Sequence, residues 1–237
     1  MLLASAGSHP NAVYRREFFE WVMAESPSSL LDVGCGDGAF LRAAGARGCR
    51  AHGVDTDERG IARLKAEGLS AERARAEALP FADARFDVVT FSYTTHHLAD
   101  LAPALAEALR VARRAVLILE GWYDTSVPSQ RVAETYDLWS KRIDRRLGMV
   151  HNPLPSAAEL VALAASRADV AAVDYAHRLL LAPWPIEDVR EAAQEQRAAL
   201  GGFDAQIEDA LARILEEAAR EGISRDGALM LRIAKAG

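Results

Sequence analysis

Three glycines and two aspartates carry the first chemical signal in this chain. Gly34, Gly36 and Gly38 alternate with Cys35 and Asp37 directly after a short apolar run, Leu30, Leu31 and Val33, interrupted by Asp32. A glycine-rich turn between a strand and a helix lets a ligand approach the backbone and meet the free N–H groups at the helix start. The spacing is GxGxG, not the GxGxxG of dinucleotide binders, and no GxxxxGK[ST] is present, which excludes a P-loop. Asp55 closes the next predicted strand, where a carboxylate accepts hydrogen bonds from the two hydroxyls of a ribose. Taken alone it serves equally as an N-cap before Glu58. Spacing says nucleoside-containing cofactor and leaves its identity open. His96 and His97 are the candidate general bases, because an imidazole titrates near neutrality. They open the helix predicted after the fourth strand, and capping or packing that helix is the alternative role.

Alternating strands and helices must position these groups. Residues 11–25 read as a helix with Phe18, Phe19 and Val22 on one face. The run around Leu30–Val33, bounded by glycines, reads as a buried parallel strand. Helices follow over 38–47, 58–67 and 101–113, and strands over 50–54, 70–76, Phe86–Phe91 and Ala115–Leu119. This alternation predicts a doubly wound parallel sheet. After Glu120 the rhythm changes. Residues 122–152 and 185–221 read as helical insertions, candidates for a lid over a substrate, within a single domain spanning the chain. A helix over 156–167 and strands over 169–181 and 227–234 complete the reading. Trp122, Tyr123, Tyr136 and Trp139 follow the carboxyl end of the fifth strand, where ligands of open α/β sheets bind. They are read as an acceptor pocket, with ordinary core the alternative.

The formal charge of −6 and the lack of any basic tract beyond Arg142, Arg145 and Arg146 argue against phosphate-mediated nucleic-acid binding. Cys35 and Cys49 fit neither a disulfide framework nor a zinc site, and Cys35 is read as packing. The opening MLLASAGSHP lacks the features of a signal peptide, and no apolar run reaches the length of a membrane span. A cytoplasmic protein without a membrane partner, monomeric or homodimeric, is the expectation.

LLDVGCGDG resembles motif I of the class I S-adenosylmethionine (SAM)-dependent methyltransferases, and HGVDTD resembles motif II. AEALPFADARFDVVTFSYTTHHLADL resembles the stretch that family runs through its fourth strand. The resemblance covers roughly residues 29–120 with the motifs in order. It implies a Rossmann-like α/β fold with a mostly parallel seven-stranded sheet and helical lid insertions, and SAM as cofactor. It also implies transfer of the methyl group to an O, N or C nucleophile of a small-molecule acceptor. Position by position, it places the Gly34–Gly38 loop along the methionine moiety and Asp32 at its amino group. Asp55 falls at the ribose, Thr56 beside the adenine, and Ala76 and Glu77 at the adenine edge. Ser92 and Tyr93 face the methyl. Tyr14 either closes over the cofactor or packs its helix on the sheet. The chain departs from the family at Arg75, where an Asp usually reads the adenine amino group. Arg75 cannot accept a hydrogen bond, which leaves that task to Glu77 or to the backbone. The usual Pro-Gly-Gly before the fifth strand is trimmed to Ala112, Arg113, Arg114. No NPPY or DPPY follows the fourth strand, so amino groups of adenine, cytosine or glutamine are not the expected acceptors, and no metal is implied. A SAM-binding protein with other chemistry, or with a non-catalytic role, is the alternative. The GxGxG spacing disfavours a dehydrogenase.

Overall fold

The computed structural model describes residues 11–236, so the opening MLLASAGSHP lies outside the described residues. Helix α1 (Ala12–Ala24) buries Tyr14, Phe18, Phe19 and Val22. Strand β1 (Ser29–Val33) is buried at all five positions, the pattern of a central parallel strand covered on both faces. Then follow α2 (Ala39–Ala46), β2 (Arg50–Asp55), α3 (Glu58–Ala66) and a short β3 (Ala71–Arg73). Next come β4 (Phe86–Ser92), α4 (Leu101–Val111), β5 (Ala112–Trp122), α5 (Pro128–Arg146), α6 (Ala157–Ala165) and β6 (Val170–Arg178). Helices α7 (Ile186–Leu200) and α8 (Ala205–Glu221) and strand β7 (Gly227–Lys235) end the chain.

The strands form one seven-stranded sheet in the order β3-β2-β1-β4-β5-β7-β6. β1 pairs in parallel with β2 and β4, β2 with β3, and β4 with β5. The doubly wound, mostly parallel architecture expected from the strand–helix alternation is the fold. Strand order reverses between β1 and β4, so the crevice beyond their carboxyl ends is where such sheets bind ligands. Register sets Asp32 beside Thr90 and Val33 beside Val54 at that end.

Two boundaries differ from the sequence reading. His96 and His97 do not open α4. They form a single 3-10 turn, Thr95–His97, and α4 starts at Leu101, capped by the Asp100 carboxylate on the Ala102 N–H. The expected loop at 112–114 is strand, because Ala112 already pairs with Phe86, and the extra residue before the Val88–Ala115 pair is taken up as a bulge in β5.

The chain divides into two compact units. One runs to Glu120 and takes in Pro155–Ala176 and the segment from Leu229; the other comprises Gly121–Leu154 and His177–Ala228. The second unit holds α5, α7 and α8, drawn from both stretches read as insertions. Its core is built from Val132, Tyr136, Trp139 and Ile143 of α5, Val189 of α7, and Ile207, Leu211 and Ile214 of α8. The spacing within α5 and α8 alternates four and three residues, which lines up one face of a helix. Among the described residues, no helix is long and apolar enough to cross a membrane.

Candidate functional site

The loop after β1 is tied to β2. The N–H groups of Gly34 and Cys35 both donate to the Val54 carbonyl, at 2.8 and 3.1 Å. Gly34 has φ +74°, and a Cβ there would lie 2.5 Å from Thr94 Oγ1 and closer still to its Cγ2. The turn after β4 therefore packs directly on the glycine loop. Gly36, at φ +52°, is the opposite case: among the described residues nothing lies within 4 Å of where its Cβ would stand, so the loop presents open backbone on that side. Gly38 precedes α2, where a side chain would meet Leu64 of α3.

Asp55 clamps this loop. Its Oδ2 accepts from the Gly36 N–H at 3.0 Å and its Oδ1 from the Asp57 N–H at 3.0 Å. The alternative capping role belongs to Asp57, whose carboxylate accepts from the Arg59 N–H at the start of α3. Each carboxylate oxygen has a second lone pair, so Asp55, half-buried, retains acceptor capacity towards a diol.

Asp32 is buried at the end of β1. Burial pushes its carboxyl up to about 7, while the Thr90 hydrogen bond and the Arg15 guanidinium pull the other way. Thr90 Oγ1 donates to Asp32 Oδ1 at 2.9 Å. Arg15 on α1 also donates to Ser92 Oγ at 3.4 Å and lies 4.7 Å from the centre of the Tyr93 ring. Tyr93 holds φ +54°, an uncommon conformation for an aromatic residue, with its N–H donated to the Leu119 carbonyl at 2.7 Å.

Beyond Tyr93 the two histidines part company. His97 is exposed, whereas His96 is buried with Nδ1 2.8 Å from Glu120 Oε1. Glu120, fully buried at the end of the β5 core, also accepts from the His96 N–H at 3.3 Å and from Thr95 Oγ1. The sequence reading gives Arg15, Thr90 and Glu120 no place in the site. Only Glu120 had a local signal, as a charged residue ending the apolar run of β5.

Thr56 is exposed beyond β2, and Ala76 is buried in the turn that follows β3. Glu77 is engaged by Arg75, Nη2 to Oε2 at 3.4 Å. Tyr14 lies on the buried face of α1 with Phe18 and Val22. Burial raises the Cys35 thiol to about 12, which removes its thiolate and fits a packing role.

The four aromatics from Trp122, the last residue of β5, onward belong to the second unit. There Tyr136 and Trp139 are core: the Tyr136 hydroxyl donates to the Val189 carbonyl at 3.3 Å and Trp139 Nε1 to the Ile207 carbonyl at 3.2 Å. The acceptor-pocket expectation for these two gives way to packing, because ring and polar atom are both satisfied inside the helical unit. Trp122 and Tyr123 are only partly buried, and Trp122 stacks on His177 with ring centres 4.1 Å apart. Burial raises the Tyr123 phenol well above its usual value, keeping it protonated.

A glycine loop and paired acidic residues at the switch point of a parallel sheet define a Rossmann-like α/β domain for a nucleoside-containing ligand. Residues 31–119 match the methyltransferase domain family. Over 160 residues the chain is 34% identical to the ubiquinone/menaquinone biosynthesis C-methyltransferase UbiE of Dinoroseobacter shibae, covering 62% of this chain and 62% of that relative. Over 106 residues it is 36% identical to the demethylmenaquinone methyltransferase of Thermus thermophilus, covering 41% and 48% of the two chains. The chain thus spans less than two thirds of the length of these curated relatives. Its fold is similar to that of the YcgJ protein from Bacillus subtilis, at TM-score 0.65 and 17% identity over 94% of this chain and 99% of that one. Residues 31–119 are thus similar to the methyltransferase domain, and the curated relatives that match this chain in part are named methyltransferases.

Proposed function

We propose that this protein transfers the methyl group of SAM to a small-molecule acceptor, with an electron-rich hydroxylated ring as the acceptor class. One observation carries the first part: a buried, desolvated Asp32 carboxylate stands at the end of β1 beside a loop whose backbone is open at Gly36. SAM offers an ammonium, a ribose diol and an adenine, and the residues present fit those groups. We assign Asp32 to the ammonium, Asp55 to the ribose, and Gly34, Gly36 and Gly38 to the methionine portion. Thr56, Ala76 and Glu77 fall to the adenine, and Ser92, Tyr93 and Tyr14 to the neighbourhood of the methyl group. When bound, SAM supplies a sulfonium-activated methyl. The protein then aligns the acceptor and excludes water. The acceptor class rests on the names of the quinone-methylating relatives.

Calorimetry tests the cofactor reading. SAM binds stoichiometrically and NAD does not; NAD binding without SAM binding ends it. Asp55→Ala lowers SAM affinity by about ten-fold or more, since hydrogen bonds to a charged group contribute roughly 1.5–3 kcal/mol. It also costs the apo protein about 1 kcal/mol, because Gly36 loses its clamp. An unchanged dissociation constant confines Asp55 to that structural role.

Trp122 and Tyr123 directly follow Glu120 and Gly121 in the chain, which makes them our assignment for the acceptor's apolar face. Trp122→Ala and Tyr123→Ala each raise the acceptor KM or lower turnover by about ten-fold, the equivalent of about 1.4 kcal/mol. SAM binding stays nearly unchanged. Loss of thermal stability with unaltered acceptor kinetics assigns both residues to packing.

A further inference from the structure

Glu120 is a fully buried carboxylate engaged on both oxygens by one short turn. Oε2 accepts from Thr95 Oγ1 and from the His96 N–H, and Oε1 faces His96 Nδ1 at 2.8 Å. That turn sits where chemistry is expected. It directly follows β4, and its first neighbour, Thr94, is the side chain packed on Gly34 of the cofactor loop. An ionised carboxylate only accepts hydrogen bonds, so the nitrogen facing it carries the proton. A neutral imidazole protonated at Nδ1 bears its lone pair on Nε2.

We infer that Glu120 is a positioning residue: it holds His96 in the Nδ1–H tautomer and so presents Nε2 as the atom that takes the acceptor's proton. The tautomer rests on geometry alone, and the role as base rests on the methyl-transfer reading above. For a hydroxylated ring the balance is complete. The ring O–H gives its proton to Nε2, and the electron pair passes into the ring. The nucleophilic ring carbon forms the C–CH3 bond as the S–CH3 bond of SAM breaks. The same carbon then loses its hydrogen as a proton to water, which restores the aromatic ring; the ring oxygen takes its proton back from Nε2, and S-adenosylhomocysteine leaves.

Glu120→Gln is the discriminating substitution. The His96 backbone N–H can only donate, so the amide oxygen turns towards it, and the amide NH2 is left facing Nδ1. That NH2 donates, Nδ1 becomes an acceptor, and the ring proton moves to Nε2. NMR on protein labelled in its histidine rings reads the tautomer directly. The expected result is Nδ1–H for His96 in the wild type and Nε2–H in the Gln variant. Turnover is followed with methyl-tritiated SAM and a naphthohydroquinone as probe acceptor. It falls on the order of 10²–10⁴-fold, the range for lost general-base catalysis, while SAM affinity by calorimetry stays unchanged. Nε2–H in the wild-type protein overturns the inference, and that measurement needs no variant to fold. So does a Gln variant that keeps Nδ1–H, or one whose tautomer inverts with turnover intact. A wild-type protein that binds SAM and leaves the hydroquinone unlabelled sinks the acceptor class proposed above, and the tautomer measurements still decide the role of Glu120.

Discussion

Replacing Asp32 by Asn stabilises the ligand-free protein and weakens its hold on SAM. Burial lifts the Asp32 carboxyl from its ordinary 3.8 to about 7. Between those two values the native protein holds a proton that the unfolded chain has released. Stability therefore falls as pH rises through that window, and the contribution is fully present only below it. A lift of this size amounts to on the order of 4 kcal/mol at pH values above the window. Asn has nearly the same shape and still accepts the hydrogen bond from Thr90 Oγ1. Denaturant unfolding of the two proteins gives nearly equal stability near pH 4. A gap in favour of the Asp32→Asn protein then widens until about pH 7. SAM binding runs the other way. An ammonium is held best by an ionised partner, so wild-type affinity increases as pH rises through about 7. The variant loses that dependence and binds about ten-fold more weakly or worse, the equivalent of about 1.4 kcal/mol or more. A stability difference that is flat with pH means Asp32 is ionised throughout in the native state, and removes the basis of the prediction.

The sheet and the cofactor loop were legible because their signals are local. An all-buried strand reads as a continuous apolar run, and the loop reads from glycines spaced by one residue. The partners that make the loop a site are not local. Thr90 reaches Asp32 across 58 positions and His96 reaches Glu120 across 24, so only the pairing of β1, β4 and β5 brings them together. Arg15 is one arginine among many, and nothing in its own segment marks it out. The Asp55–Thr56–Asp57 run offers two carboxylates to one helix start, and a shift of two residues decides which one caps α3. In the helical unit the number of aromatics suggested a pocket. The spacing of Val132, Tyr136, Trp139 and Ile143 was the better guide, since a four-three-four pattern marks one buried helix face.

Gly34→Ala and Gly36→Ala, two substitutions in one loop, separate its folding role from its binding role. At Gly34 the added methyl would stand 2.5 Å from Thr94 Oγ1 and closer still to its Cγ2, at φ +74°. The left-handed backbone costs about 1–2 kcal/mol for an L residue, and forcing a methyl into a packed contact adds about 1–3 kcal/mol. Thr94 is β-branched, and its hydroxyl donates to the Ser92 carbonyl at 3.2 Å, so it does not rotate away cheaply. Gly34→Ala therefore lowers stability by about 2–5 kcal/mol on those two contributions. At Gly36 the backbone is also left-handed, at φ +52°, but the space is open. Only the conformational cost of about 1–2 kcal/mol applies there, and the new methyl projects where the methionine portion of SAM is assigned. Gly36→Ala keeps most of the stability and loses SAM affinity by about ten-fold or more. Adding Thr94→Ala recovers part of the Gly34→Ala loss, because the two nearest clashing atoms, Cγ2 and Oγ1, are gone while Cβ stays at 3.0 Å, and leaves Gly36→Ala unaffected. Equal stability losses for the two glycine variants, or no recovery in the double variant, would place the packing of the β4 turn on Gly34 in error.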